Sequence, residues 1–477
     1  LFSALRPESF LVVGALTALG LDLSAFRGRT AGQRLRCALG VGSLAVILAG
    51  LQAWTGGRGP VFGGVLILDT FAVATRLGVL GLTLLTFGVA WGARAPRQPA
   101  EYVAVILFAA AGLLLMATAQ QLLLGFLALE LASLSLYVLA GFDRTRPEAA
   151  EAALKYFLFG TMAAAFLLFG FSLIYGLTGS IELPQIATQL SRQGASPLLL
   201  VAIVMILVGF GFKAAAAPFH LWAPDVYQGA PTPSAALIAS ASKLAGFAFF
   251  TRLLWPGFGA VAGNAGSFGG GPGWLPAVAV VAAASLLLGN LAALAQSSLR
   301  RLLAYSAIAH AGALLLGVMA AGQAGFAPLF YYASTYGLAT VGTFGVIAAL
   351  ERAGRCEDIA DLAGLHRRSP LLAACLAVFI LSLAGIPPLA GFFGKLAVFS
   401  AALRMGGPAA WLAVLAIALS AVALYYYLIV LKQALVAAPP ADARPVLVSH
   451  VTALALLAAA GLIVCFGLEP SLLLGRF

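Results

Sequence analysis

Long apolar runs recur along this chain and leave few folds open to it. Segments of roughly 17 to 30 residues, against the ~20 that a membrane-crossing helix needs, begin near Phe10, Arg36, Leu68, Tyr102, Gln121, Ala152, Pro197, Thr232, Leu275, Leu302, Phe326, Leu371, Ala410 and Ser449. Backbone polar groups in hydrocarbon must be satisfied internally, so such a chain spans as helices or as a closed barrel. Barrel strands need only about 10 residues and alternate in polarity. These runs are longer and do not alternate, so helices are expected. Only 9% of the residues are charged, against about 25% in a soluble domain. The reading is an all-α membrane protein with fourteen transmembrane helices and no soluble domain. The first segment is expected to be a retained helix, since no A-x-A cleavage site follows "LTALGLDLSAF".

An even number of spans puts both termini on one face, and the basic residues choose which. With the termini outside, sixteen Lys and Arg fall on inside loops, from Arg27 and Arg29 through Arg94, Arg97, Arg144 and Arg146 to Arg355 and Arg444. Six fall outside: Arg6, Arg58, Arg192, Arg252, Arg404 and Arg476. The bias predicts both termini periplasmic in a bacterial inner membrane. The net charge of +11 is then a matter of orientation and does not indicate nucleic acid. Two connections are longer than the rest: a Gly-rich outside loop over 253–274 and a charged inside loop over 351–370.

The remaining five basic residues, Arg76, Lys155, Lys213, Lys243 and Lys395, lie within apolar segments. Four of the five lysines in the chain are thus in the membrane, while the loops use Arg. Lys, unlike Arg, can lose its proton when buried. A charge at mid-bilayer costs about 2.5 to 3.5 kcal/mol on insertion scales, so each needs a partner or a task. At 1.5 Å per residue, Glu130 and His310 lie about 14 Å, Lys243 about 17 Å and Lys213 about 24 Å into their segments. The bland readings are a structural hydrogen bond for Glu130, a packing ion pair for Lys243, snorkelling for Lys213 and a bundle hydrogen bond for His310. Lys155 is close enough to its helix end to snorkel. Arg76 has no polar neighbourhood in the sequence, and the roles of His220 and Asp225 stay open.

Pro218 in "GFGFKAAAAPFHLWAPDVYQG" and the two prolines of "LAGIPPLAGFFGKLAVF" mark discontinuous helices beside Lys213 and Lys395. They lie five spans apart, which predicts two five-helix repeats of inverted topology. A line of amines, a carboxylate and an imidazole joined by small residues can relay protons, each charge biasing the next. Cys37, Cys356, Cys375 and Cys465 form no ligand cluster, and no haem pair or dinucleotide turn is evident. No cofactor is expected in this chain.

"LALELASLSLYVLAGFDRTRPEAAEAALKYFLFG", "GNLAALAQSSLRRLLAYSAIAHAG" and the two broken segments resemble the antiporter-like membrane subunits of respiratory complex I. The similarity is strongest over about residues 100 to 400 and points to the N type of NADH:quinone oxidoreductase. Lys395, where the M type has Glu, and a chain ending at Phe477 without the lateral helix of the L type both favour it. The resemblance implies that spans 4–8 and 9–13 form the repeats. The divisions are then 1–100 (three helices), 101–252, 275–433 and 434–477 (a last helix).

It also implies that Glu130 pairs with Lys213, with Lys155 modulating the Glu130 side. Lys243 would be the central relay, His310 would bridge the half-channels, and Lys395 would end the path outside. NADH, FMN, iron-sulfur clusters and quinone would belong to partner subunits, and the neighbours would be M-type, K-type and J-type membrane subunits. The expected function is proton translocation, as part of a translocase, driven by quinone reduction elsewhere. The alternative is a subunit of a multisubunit cation/proton antiporter or of a membrane-bound hydrogenase.

Overall fold

The computed structural model describes residues 5–263, 273–354, 356–439 and 445–475. Arg355, Arg444, Arg476 and the centre of the Gly-rich loop lie outside them. The first helices are α1 (Arg6–Ser24), α2 (Ala31–Thr55), α3 (Thr70–Gly92), α4 (Pro99–Thr118), α5 (Leu122–Ala140) and α6 (Pro147–Thr178). They are followed by α7 (Leu183–Gln193), α8 (Pro197–Ala214), α9 (Ala223–Gly229), α10 (Thr232–Ala239) and α11 (Ala241–Arg252). The second half holds α12 (Trp274–Leu294), α13 (Leu299–Ala324), α14 (Ala327–Ala353), α15 (Leu365–Arg368), α16 (Pro370–Ala384), α17 (Ala390–Met405), α18 (Gly407–Leu435), α19 (His450–Leu468) and α20 (Ser471–Leu474). Between α2 and α3 a two-stranded hairpin, β1 (Gly59–Val61) and β2 (Leu66–Leu68), is antiparallel with Pro60 opposite Ile67.

Among the described residues, thirteen helical segments are long and apolar enough to cross a membrane. The segment expected from Leu371 is the exception: it is made of two shorter helices, α16 and α17. Each apolar run read from the sequence overlies helix. Pro begins many of them, at a position where the missing N–H has no intrahelical acceptor to lose. Side chains cap others: Asp69 accepts from Ala72 N for α3, and Ser298 accepts from Arg301 N for α13.

Helices α10, α11, α13 and α14 are buried almost throughout, whereas α6, α12, α18 and α19 keep wide apolar faces open. A helix apolar all round belongs at the centre of such a bundle or against lipid. The charged positions of the relay fall on or beside the central helices.

The connections gather at two ends. At one end the loops α3–α4 and α5–α6, the α9–α10 turn and the end of α14 surround a common cavity, and Arg94 donates to Glu351 O at 3.2 Å. This is the arginine-rich face. At the opposite face the hairpin pairs with the α4–α5 connection through Leu66 and Ala119, and Gln121 pairs with Glu182. Helix α7, on this opposite face, was not foreseen. It is too short to span and buries Leu183, Ile186 and Leu190 along one side.

Both expected breaks are present and alike. Helix α8 ends at Ala215 in the left-handed region (φ 55°), and Ala217–Pro218 is cis. Helix α16 ends at Gly385 (φ 86°), and Pro387–Pro388 is cis, again three residues on. Backbone groups freed at the breaks find side chains: Ala217 N donates to Ser285 Oγ (2.8 Å), Trp222 Nε1 donates to Phe212 O (3.0 Å), and Gly391 N donates to Ser382 Oγ (3.2 Å). That satisfaction is what irregular backbone at membrane depth requires. A third interruption has no proline or glycine to announce it. Ser240 (φ −118°, ψ −84°) separates α10 from α11 three residues before Lys243.

Candidate proton-relay site

Helix α5 brings Glu130 to the first broken helix. Lys213 Nζ donates to Ser133 Oγ at 3.2 Å, one turn along α5 from Glu130. Glu130 and Lys213 are within electrostatic reach of each other, but no ion pair joins them within 4.0 Å among the described residues. Glu130 Oε1 is buried with no hydrogen-bond partner among those residues. The expected pair is therefore not in direct contact: the amine is bonded to a neutral hydroxyl one turn along α5, and the carboxyl group is near but apart. Gly246 on α11 makes room for this lysine: a Cβ there would stand 3.3 Å from Lys213 Cγ.

Lys213 and Lys243 line one cavity of about 10 Å³ together with Gly246, Phe247 and Phe250, the room of about one water. Lys243 is 2% exposed. Its Nζ donates to Ala307 O at 2.6 Å and lies 5.6 Å from the centroid of the Tyr336 ring. The carbonyl and the ring face are both electron-rich partners for the amine.

Tyr336 continues the line, since its ring centroid lies 4.8 Å from that of His310. The imidazole is held at both nitrogens: Nδ1 shares a hydrogen bond with Tyr332 Oη (2.6 Å) and Nε2 with Tyr427 Oη (3.1 Å). Tyr427 is bonded onward to Ser306, and Tyr426 donates to Asn290 Oδ1 at 3.2 Å. Hydroxyls on both sides can give or take a proton, so His310 can pass one without rotating. The imidazole is within electrostatic reach of both Lys243 and Lys395.

Lys395 closes the series in the second break. Its Nζ donates to Ala384 O, a carbonyl at the end of α16, at 2.9 Å. Its stem crosses Gly385, where a Cβ would stand 2.9 Å from Lys395 Cδ. Glycine there serves two needs, the positive φ and the close passage of the lysine.

Lys155 stands apart from this buried line. It is partly exposed and pairs with Glu151 (2.6 Å) and Asp225 (2.5 Å), and Asp225 also accepts from Arg301 Nη1 at 2.8 Å. Asp225 thereby ties α9 to α6 and α13. His220 is buried, with Nδ1 unbonded among the described residues. Arg76 does have a charged neighbour: it forms a buried ion pair with Glu8 of α1, 68 positions away. The neutral residues that the sequence reading missed at this site are Ser133, Tyr332, Tyr336 and Tyr427. The cluster "FYYASTYG" was the available signal for Tyr332 and Tyr336. Among the described residues, no group of three or more His, Cys, Asp or Glu is placed to hold a metal ion.

Buried amines and an imidazole beside two matched helix breaks define the class of antiporter-like membrane subunits. Residues 119–420 match the family described as NADH:quinone oxidoreductase/Mrp antiporter, TM. The NADH-quinone oxidoreductase subunit N 2 of Acidobacterium capsulatum is 49% identical, over 98% of this chain and 96% of that one. A chain of respiratory complex I from Thermus thermophilus superposes with a TM-score of 0.80 at 36% identity, covering 98% of each. A chain of the Mrp complex from Dietzia has a TM-score of 0.82 at 24% identity, over 99% of this chain and 95% of that one, a likeness of fold. The chain belongs to the antiporter-like membrane subunits of NADH-quinone oxidoreductase, of the N type, and is a multi-pass membrane subunit of an oxidoreductase complex.

Proposed function

We propose that this chain translocates protons as a subunit of a complex I type NADH:quinone oxidoreductase, in the order Glu130, Lys213, Lys243, His310, Lys395. The reading rests on one observation above all. The ionisable groups, buried or half-buried, form a series in which each is linked to the next by electrostatic reach, a shared cavity or an aromatic face. Lys155, joined to Asp225, tunes the arginine-rich end of the path. The arginine-rich face is the inside and both termini are periplasmic in the bacterial inner membrane, a reading that the bias in basic residues supports. Residues 101–252 and 275–433 act as the two inverted repeats, a layout supported by the matched breaks. Quinone chemistry and its cofactors reside in partner subunits, with M-type, K-type and J-type neighbours in the membrane.

Lys213→Met and Lys243→Met, introduced into the assembled complex, are expected to cut proton uptake by inverted vesicles at least about tenfold. Pumping at the parent's rate in both, with assembly confirmed, overturns the assignment. The second reading, a multisubunit cation/proton antiporter, draws on the family description and on the Dietzia fold. Cation transport by a purified complex that carries no redox subunit would favour it.

A further inference from the structure

On the arginine-rich face an open cavity of about 690 Å³ enters the protein between the α3–α4 and α5–α6 connections and the end of α14. Its rim carries Arg94, Arg97 and Arg146 with Asp143 and Glu148. At its floor it reaches Thr232, Arg300 and Glu351. The relay proposed above uses none of these.

Arg300 is 4% exposed and spends its guanidinium on several partners at once. Nη1 donates to Gln228 O (2.9 Å) and Ala230 O (3.0 Å). Nη2 is bonded to Thr232 Oγ1 and Glu351, and Thr232 is itself bonded to Glu351. Arg300 Nε is buried with no partner among the described residues. This one side chain thus fastens the turn between α9 and α10 to the last turn of α14.

Two features connect that floor to Lys243. Helix α10 begins at Thr232 and breaks at Ser240, three residues before the lysine. On α14, Ile347, Thr340 and Tyr336 stand 4, 11 and 15 residues before Glu351, within about 60° of one helix face at 3.6 residues per turn. Thr340 and Tyr336 are polar, and Tyr336 is the ring beneath Lys243 Nζ. That face is polar at its two ends, and between Glu351 and Thr340 the apolar side chains of Ile347 and Phe344, the latter 7 residues before Glu351 on the same face, close it. This approach is separate from the Glu130 and Lys213 line, which reaches Lys243 from α5 and α8.

We propose that Arg300, Glu351 and Thr232 form a charged latch on the inside face that governs entry of water and protons toward Lys243 from the 690 Å³ vestibule. It rests on the proton-translocating reading above. Glu351 is the moving group, held by Arg300 and Thr232 when the latch is closed; Arg300 is a positioning residue that holds the α9–α10 turn through Gln228 O and Ala230 O in either case.

The test uses the assembled complex in vesicles with Ile347→Cys as reporter, one helical turn beyond Glu351 and inside the latch. A small impermeant thiosulfonate is added from the inside face, and labelling is read by peptide mass. Cys356 on the vestibule wall is a slow background, because burial pushes its thiol up to about 12. Glu351→Gln is expected to raise the labelling rate of Ile347→Cys at least about tenfold and, without the reporter, to lower the protons moved per electron pair. Arg300→Lys, which keeps the charge and loses the fork, should raise labelling as well. Should the charge variants not assemble, Thr232→Val removes the bridging hydroxyl alone and should raise it severalfold. Labelling within twofold of the parent's in every variant that assembles overturns the latch, and so does raised labelling with an unchanged proton ratio. The labelling arm does not require that the chain pump. If Lys243→Met leaves pumping intact while labelling responds, the relay fails and the gated access stands.

Discussion

At the scale of single residues, the proposed relay depends on what stands next to each amine. Ser133 holds the Lys213 amine at a position one turn along α5 from Glu130. Ser133→Ala is expected to let the lysine close on the carboxylate and to slow proton transfer onward, seen as reduced pumping with quinone reductase assembly unchanged. Gly385 has a φ of 86° and the Lys395 stem in the space of its Cβ. Gly385→Ala should therefore cost about 1 to 3 kcal/mol, read as a lower temperature of inactivation. It should also displace Lys395 from Ala384 O. The buried carboxylate, the amines and His310 were legible in the sequence because burying charge is expensive and so conspicuous. Their neutral connectors were not: a serine or tyrosine in an apolar helix is cheap, and nothing in one dimension says that Tyr332 and Tyr427 meet at the same imidazole.

At the scale of elements, proline and glycine announced two breaks and said nothing of the third. The interruption at Ser240 has no proline or glycine at the break to mark it, and its helices α10 and α11 are buried throughout. Ala215 adopts a left-handed conformation that an L side chain enters at a cost of roughly 1 kcal/mol or more. Ala215→Gly is accordingly expected to stabilise the folded state by about 0.5 to 1 kcal/mol, and Ala215→Val to destabilise it, both checked by thermal inactivation of the purified complex. Helix α7 escaped the sequence reading for the opposite reason to the spans: it is short, polar on one side, and carries only three buried apolar residues.

At the scale of the whole molecule, buried arginines tie segments that are far apart in sequence. Arg252, read from the sequence as lying in an outside segment, is 2% exposed at the end of α11. It makes a two-pronged contact with Asp69, 2.9 Å on each side, while Asp69 also caps α3. Asp69→Ala removes the cap and leaves a buried cation without its carboxylate. A loss of roughly 2 to 4 kcal/mol is expected, visible as a reduced yield of intact complex in detergent. The presence and placement of apolar helices was open to sequence reading because hydropathy is a local quantity. The pairings Arg252 with Asp69 and Arg76 with Glu8 link segments 183 and 68 positions apart, and only the packed bundle reveals them.

The small chamber between Lys213 and Lys243 matters for what it withholds. A membrane potential of 100 mV acts on each elementary charge with about 2.3 kcal/mol, and an unbroken file of water through the bundle would short-circuit it. In the proposed path, a gap with room for a single molecule would admit no continuous file, so the same site could resist leakage and still carry a proton when occupied.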